Sequence, residues 1–191
     1  MSAISTGAEA LRAAPAALPA LGTFAAAGSL HLQFVILLVW GFVGTVVLTM
    51  TMTAAQGLHL SRMSIPMLLG TMFTPNRDRA AVAGSLLHFI LGWAFSFIYA
   101  VLFESLRLAV WWFGAILGFT HGLFMLVFVI PLVPAIHPRM ATSRQGPSPT
   151  RLLQPPGFLA LHYGWRSPVV TMIAHVLYGI VLGAFYQISG A

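Results

Sequence analysis

Three histidines stand in stretches of the chain that carry no charge: His88, His121 and His175. An imidazole buried in apolar surroundings has three chemical uses. It can hydrogen-bond across helices, it can ligate a cofactor or metal, or it can carry a proton or substrate path. Two of the three stand in a repeated frame. His88-x3-Gly92-x6-Tyr99 recurs as His175-x3-Gly179-x6-Tyr186. Small residues lie at helical spacing around each, as Gly84, His88, Gly92, Ser96 and as Thr171, His175, Gly179, Gly183. Each histidine is therefore expected on a packing face rather than toward lipid.

The plain reading comes first: neutral histidines bonded to a hydroxyl or a backbone carbonyl, each bond weak on its own but orienting the helices. The second is a haem b held between His88 and His175, with Gly84, Gly92 and Gly179 clearing space for the macrocycle. Arg77, Arg79 or Arg166 would meet its propionates. A bare metal on His121 together with the other two is a weaker idea, since no acid lies in the apolar stretches to orient the ligands. Counted from the arginine-rich ends of their helices at 1.5 Å per residue, His88 and His175 fall about 10 Å deep and His121 about 18 Å. That offset argues against a compact three-histidine site. Copper(I) on Met63, Met67 and Met72 is chemically reasonable, although methionine in an apolar chain is first of all packing material. A transport path is the third reading for the histidines. It is weakened because no Asp, Glu, Lys or Arg falls within these stretches.

The elements that must position these residues are membrane-spanning helices. The chain has 191 residues, 59% hydrophobic and only 6% charged; a soluble domain is nearer a quarter charged. Four apolar stretches suffice to cross a bilayer, over about 30–55, 81–103, 110–133 and 169–188. Residues 1–29 read as an Ala-rich, loosely ordered tail with room for one short helix, and 30–188 as the membrane domain. Ser29 is the expected N-cap of the first span. Thr74-Pro75 and Ser167-Pro168 read as caps followed by proline at the first helical position for the second and fourth. Pro131 and Pro134 are expected to end the third. Gly41, Thr45, Thr49 and Thr53 recur every fourth residue, and Gly114, Gly118 and Gly122 form a GxxxGxxxG ladder.

The links carry the remaining chemistry. Ser64-Ile65-Pro66 starts a short interfacial helix, and Glu104 and Arg107 pair across a tight link. Residues 135–167 form the longest polar segment, whose second half, GFLALHYGWR, suits an interface. His59, His137 and His162 with Arg62, Arg139 and Arg166 could form a polar patch there.

Seven of the nine basic residues, all arginine, lie in the first and third links: Arg62, Arg77, Arg79, Arg139, Arg144, Arg151 and Arg166. The positive-inside rule puts those links in the cytoplasm and both termini outside. With no cysteine there is no disulfide, thiolate or iron–sulfur chemistry. With three acids in all, none within a span, there is no paired-carboxylate site. No nucleophile–base pair or phosphate loop is present either, so an enzyme is not expected.

Spans one and three echo each other as two and four do. Gly44 to His59 and Gly122 to His137 are the same distance apart, and HLSRM is followed later by HPRM. Two helix pairs in parallel repeat are expected. The segments LLGTMFTPNRDRA, IHPRMA and PPGFLALHYG resemble those of a family of small bacterial multispan membrane proteins of uncharacterised function. That resemblance implies neither an activity nor a functional residue. The expectation is therefore an all-α, four-helix bundle of the bacterial inner membrane, non-enzymatic, an accessory or structural subunit. Its partners would be membrane lipids and other membrane proteins met through the GxxxG faces, with no nucleic acid.

Overall fold

The computed structural model describes residues 17–142 and 145–188. It is all-helical, and four of its helices are long and apolar enough to cross a membrane: Gln33–Gly57, Arg77–Leu106, Trp111–Ile136 and Ser167–Phe185. Phe42, Val82, Val101, Phe119 and Leu132 all lie open on the outside of the bundle. Large side chains exposed this way on every span belong in lipid rather than in water.

Helix α1 covers Ala17–Gly57. It begins within the stretch read as a tail, so Ser29 lies inside it and is not a cap; residues 1–16 are outside the described chain. An alanine-rich run has the best intrinsic helix propensity, which outweighs the isolated Pro19 and glycines. The short α2, Ile65–Gly70, starts as expected on Ser64, whose hydroxyl accepts from Met67 N at 3.4 Å. It packs against the start of α3, Arg77–Leu106, so tightly that a Cβ on Gly70 would strike Ala80 O and one on Gly84 would strike Pro66 O. Helix α3 is capped by Asn76, not Thr74; Asn76 Oδ1 accepts from Arg79 N at 2.9 Å. Thr74 instead holds the turn by accepting from Asn76 N. Asp78 sits in the first turn, where the helix dipole favours an acid.

The third span is α4, Trp111–Phe124, a π-helical turn over Met125–Val129, and α5, Ile130–Ile136. Pro131 and Pro134 do not end it. Proline removes a donor and crowds the carbonyl four residues back. The wide π turn, in which Ile130 N–H reaches Met125 O, shifts the hydrogen-bond ladder just before Pro131. The fourth span, α6, Ser167–Phe185, is preceded by Arg166 and has no side-chain cap. Ser167 is fully buried and pairs with Ser61 Oγ at 2.7 Å instead.

Small residues decide which helices touch. Gly114 and Gly118 lie against α6, where Cβ atoms on them would strike Gly179 O and His175 O. Helix α6 packs on α1 through Gly44 against Tyr178, and α1 on α3 through Gly41 and Thr45 against Ser96 and Gly92. Thr45 and Thr49 send their hydroxyls back to Gly41 O and Thr45 O, which hides them from lipid. Thr53, the last rung of that ladder, is exposed. Helices α3 and α4 share no close backbone interface. Side chains span the seam between them, among them Phe103 with Phe113 and Tyr99 with His121. The expected Glu104–Arg107 pair is present at 3.3 Å across their link.

The two halves share an order: span, link with a short helical piece, span. The second link is not a loose loop. Its GFLALHYGWR part forms a 3₁₀ turn over Phe158–Tyr163. With α2 it closes the arginine-rich end of the bundle as a packed plug, burying Met63, His137, Met140 and Ala160. His137 is the pin of this plug. Its Nε2–H donates to Leu68 O at 3.1 Å, with Thr71 Oγ1 alongside at 3.2 Å, and its Nδ1 accepts from Arg139 N at 3.2 Å. Those partners require the neutral ring. Burial, foremost, and the Arg139 guanidinium hold its pKa below 6.5, against an opposing pull from Leu68 O.

Candidate functional site

His88, His121 and His175 line one cavity of about 120 Å3 in the arginine-rich half of the bundle. His88 comes from α3, His121 from α4 and His175 from α6. Their helices hold them there because each sits on the small-residue face of its helix, where backbones approach and a larger ring fills the gap beside a glycine.

His175 is buried. Its Nδ1 lies 2.8 Å from Thr171 O, a carbonyl that can only accept, so Nδ1 carries the proton. In the neutral ring Nε2 is then a bare acceptor. His121 lies edge-on to His175 with ring centroids 4.7 Å apart. It stacks on Phe95 at 3.9 Å and meets Tyr99 Oη through Nδ1 at 3.4 Å. His88 Nε2 is buried and has no hydrogen-bond partner. The hydroxyls nearby are already committed: Thr45 to Gly41 O, Tyr178 to Gly92 O at 2.6 Å, and Thr171 to Met63 Sδ at 3.8 Å. The imidazoles are thus the part of the cavity wall with polar capacity to spare.

The depth estimate for His121 is corrected by this arrangement. It assumed that the helix ends are level. The third span instead runs on to Ile136, beyond its prolines, so the count from Val133 says nothing about neighbours on α6. His88 and His175 do reach the same cavity, as the repeated frame implied. The glycines of that frame have another use. Gly179 lies against Gly114 and Gly118 of α4, and Gly92 against Thr45 of α1. Neither opens space for a macrocycle. Pockets for drug-sized ligands have roughly 300–1,000 Å3, and this cavity is well below that. The haem reading therefore finds no room in this arrangement.

Metal ligation fares little better. Among the described residues no group of three His, Asp or Glu side chains stands ready to hold an ion. The methionines that line the cavity are Met52, Met63 and Met125, not the expected trio, since Met67 and Met72 point elsewhere on α2 and its following turn. The polar patch foreseen on the arginine-rich face is resolved into structural contacts. His137 and Arg139 pin the plug, with Arg139 also donating to Thr71 O at 2.7 Å. Arg62 donates to His162 O, and Arg166 stacks over Trp165 at 4.5 Å. A wider groove of about 790 Å3 on that face, with Arg151 and His162 at its rim, is open to solvent. Its arginine already donates to Met140 O.

One feature of the cavity has no signal in the histidine frame. The π turn places Met125 and Val129 in its wall. Such turns arise where an extra residue is inserted into a helix and are frequent at functional sites. A sequence clue was Pro131 two residues beyond an otherwise unbroken apolar helix. No family model matches this chain, and neither the curated proteins nor the solved structures contain a significant match.

Proposed function

We propose that this chain is a non-enzymatic multi-pass protein of the bacterial inner membrane whose working part is the histidine-lined cavity, a binding site for a small guest. The observation that carries the reading is His88 Nε2, buried beside two further imidazoles with no partner of its own. A histidine present for packing alone would be bonded, because an unmatched buried polar atom costs about 1–3 kcal/mol. His88→Leu is therefore expected to leave stability unchanged or raise it by about 1 kcal/mol. Thermal unfolding in detergent measures this, and a clear loss of stability would return His88 to packing.

The accessory-subunit reading calls for a contact surface other than the glycine ladder. The GxxxG ladder faces α6 within the chain, so a partner would have to meet the outer, lipid-facing side chains. The orientation proposed for the protein, with both termini outside, rests on the arginine distribution. The absence of cysteine makes it simple to test. In spheroplasts, a membrane-impermeant maleimide should label Ser105→Cys in the last turn of α3 and not Gln145→Cys in the arginine-rich link. Both positions are exposed on the protein. The opposite pattern would invert the topology.

A further inference from the structure

The chemistry of the guest follows from the cavity wall, given the reading above that the cavity binds one. We infer that it receives a phenolic ring, a benzene-sized aromatic carrying a hydroxyl, which reaches it from the bilayer.

Size comes first. A cavity of about 150 Å3 lined by Leu, Ile and Phe accepts benzene and stays dry. The present one, at about 120 Å3, is of the same class. Its wall is apolar apart from the imidazoles and the hydroxyls of Thr45, Thr171 and Tyr178, with Phe95 and Leu91 among the side chains from α3. A buried water makes about three hydrogen bonds, and here it would have to draw its acceptors from the imidazoles while leaving the apolar remainder of the cavity unfilled. Thr45, Thr171 and Tyr178 have already placed their protons on the chain. A cation is a poorer guest still. No carboxylate lines the cavity to balance it, and an unpaired charge in an apolar interior is very costly.

The hydroxyl is specified by His175. Its Nδ1–H is held by Thr171 O, so the nitrogen left for a guest, Nε2, is an acceptor and calls for a donor. A carbonyl oxygen could not satisfy it; an O–H does. His88 Nε2 stands unpartnered in the same wall and can take a second polar atom on the ring. Access is through the seam between α3 and α4, which side chains alone close. A ring that partitions into lipid, including the head of a prenylated phenol or quinol with its tail left in the bilayer, can use that route.

The test is ¹⁹F NMR of the full-length protein in nanodiscs, with p-fluorophenol and fluorobenzene as probes and circular dichroism to verify the fold of each variant. We expect a saturable 1:1 bound signal for p-fluorophenol. Fluorobenzene should bind roughly tenfold more weakly, the value of one hydrogen bond inside an apolar site. His175→Leu should remove that preference while still admitting fluorobenzene, and Val129→Phe, which fills the cavity, should abolish both signals. Equal affinity for the two probes overturns the hydroxyl inference and leaves a merely apolar site. No saturable binding of either probe to folded protein overturns this inference together with the binding function on which it rests.

Discussion

Gly179→Ala is expected to destabilise the bundle by about 3 kcal/mol or more, at the upper end of what overpacking costs. The added methyl has nowhere to go. It would strike Gly114 O, with Gly118 N at 2.9 Å, and both are backbone atoms of a helix that cannot yield locally. Helices α4 and α6 would have to separate along their whole contact. Two histidines of the cavity, His121 and His175, would separate with them. The comparison that isolates the cause is Gly57→Ala. Nothing lies within 4 Å of a Cβ at Gly57, so that substitution should be neutral or slightly stabilising. Thermal or denaturant unfolding of both variants in the same detergent decides the matter. Equal midpoints would mean that the α4–α6 contact is looser than described.

His137→Ala is the second large effect expected, a loss of about 3 kcal/mol from a buried side chain bonded at both ring nitrogens. Arg139 N–H would be left without its acceptor, and a gap would open between α2 and the 137–153 segment. Hydrogen exchange of that segment should rise sharply while the spans stay protected. The same pin should be sensitive to acid. The ring's pKa is lowered in the folded protein, so the unfolded chain binds the proton more readily at mildly acid pH. The stability contributed by the neutral ring is complete above about 6.5, the unfolded value, and declines as pH falls below it. A proton on Nδ1 would face the Arg139 N–H that it now accepts. Exchange in the plug, corrected for the intrinsic effect of pH, should therefore increase from pH 7.5 to 5.5 in the wild type. A plug equally protected at both values would show that His137 does not pin it.

Much of the architecture was legible in the sequence because it depends on local quantities. Span number and approximate place follow from the cost of leaving backbone or charge in hydrocarbon, which any run of about 20 uncharged apolar residues satisfies. The packing faces follow from small residues at every fourth position, and the starts of α2 and the α3–α4 link from short-range bonds at Ser64 and Glu104–Arg107. The repeated frame correctly placed His88 and His175 on inward faces.

Other features had no local signature. Thr74 and Ser167 do not cap, and for one reason. A hydroxyl near a helix start can serve a turn, as at Thr74, or a tertiary bond, as at Ser167, and only the neighbouring chain selects between them. Ser29 lies within α1, which starts upstream of it. The prolines of the third span look like a stop in the sequence because the π turn that accommodates them is a property of the folded helix. Glycine spacing announced close contact but not the partner. Gly179 suits the face of a cofactor as well as that of a helix, and it is the position of α4 that decides between them. The meeting of His121 with His175, 4.7 Å apart, depends on helix offsets that no count along one chain segment contains. Hydropathy and spacing act residue by residue, so four helices long and apolar enough to cross a membrane, with histidines on their inward faces, were legible from the residues alone. That those histidines share one small, nearly apolar cavity belongs to the fold, since it depends on which helices touch, at what offset, and what already fills the space between them.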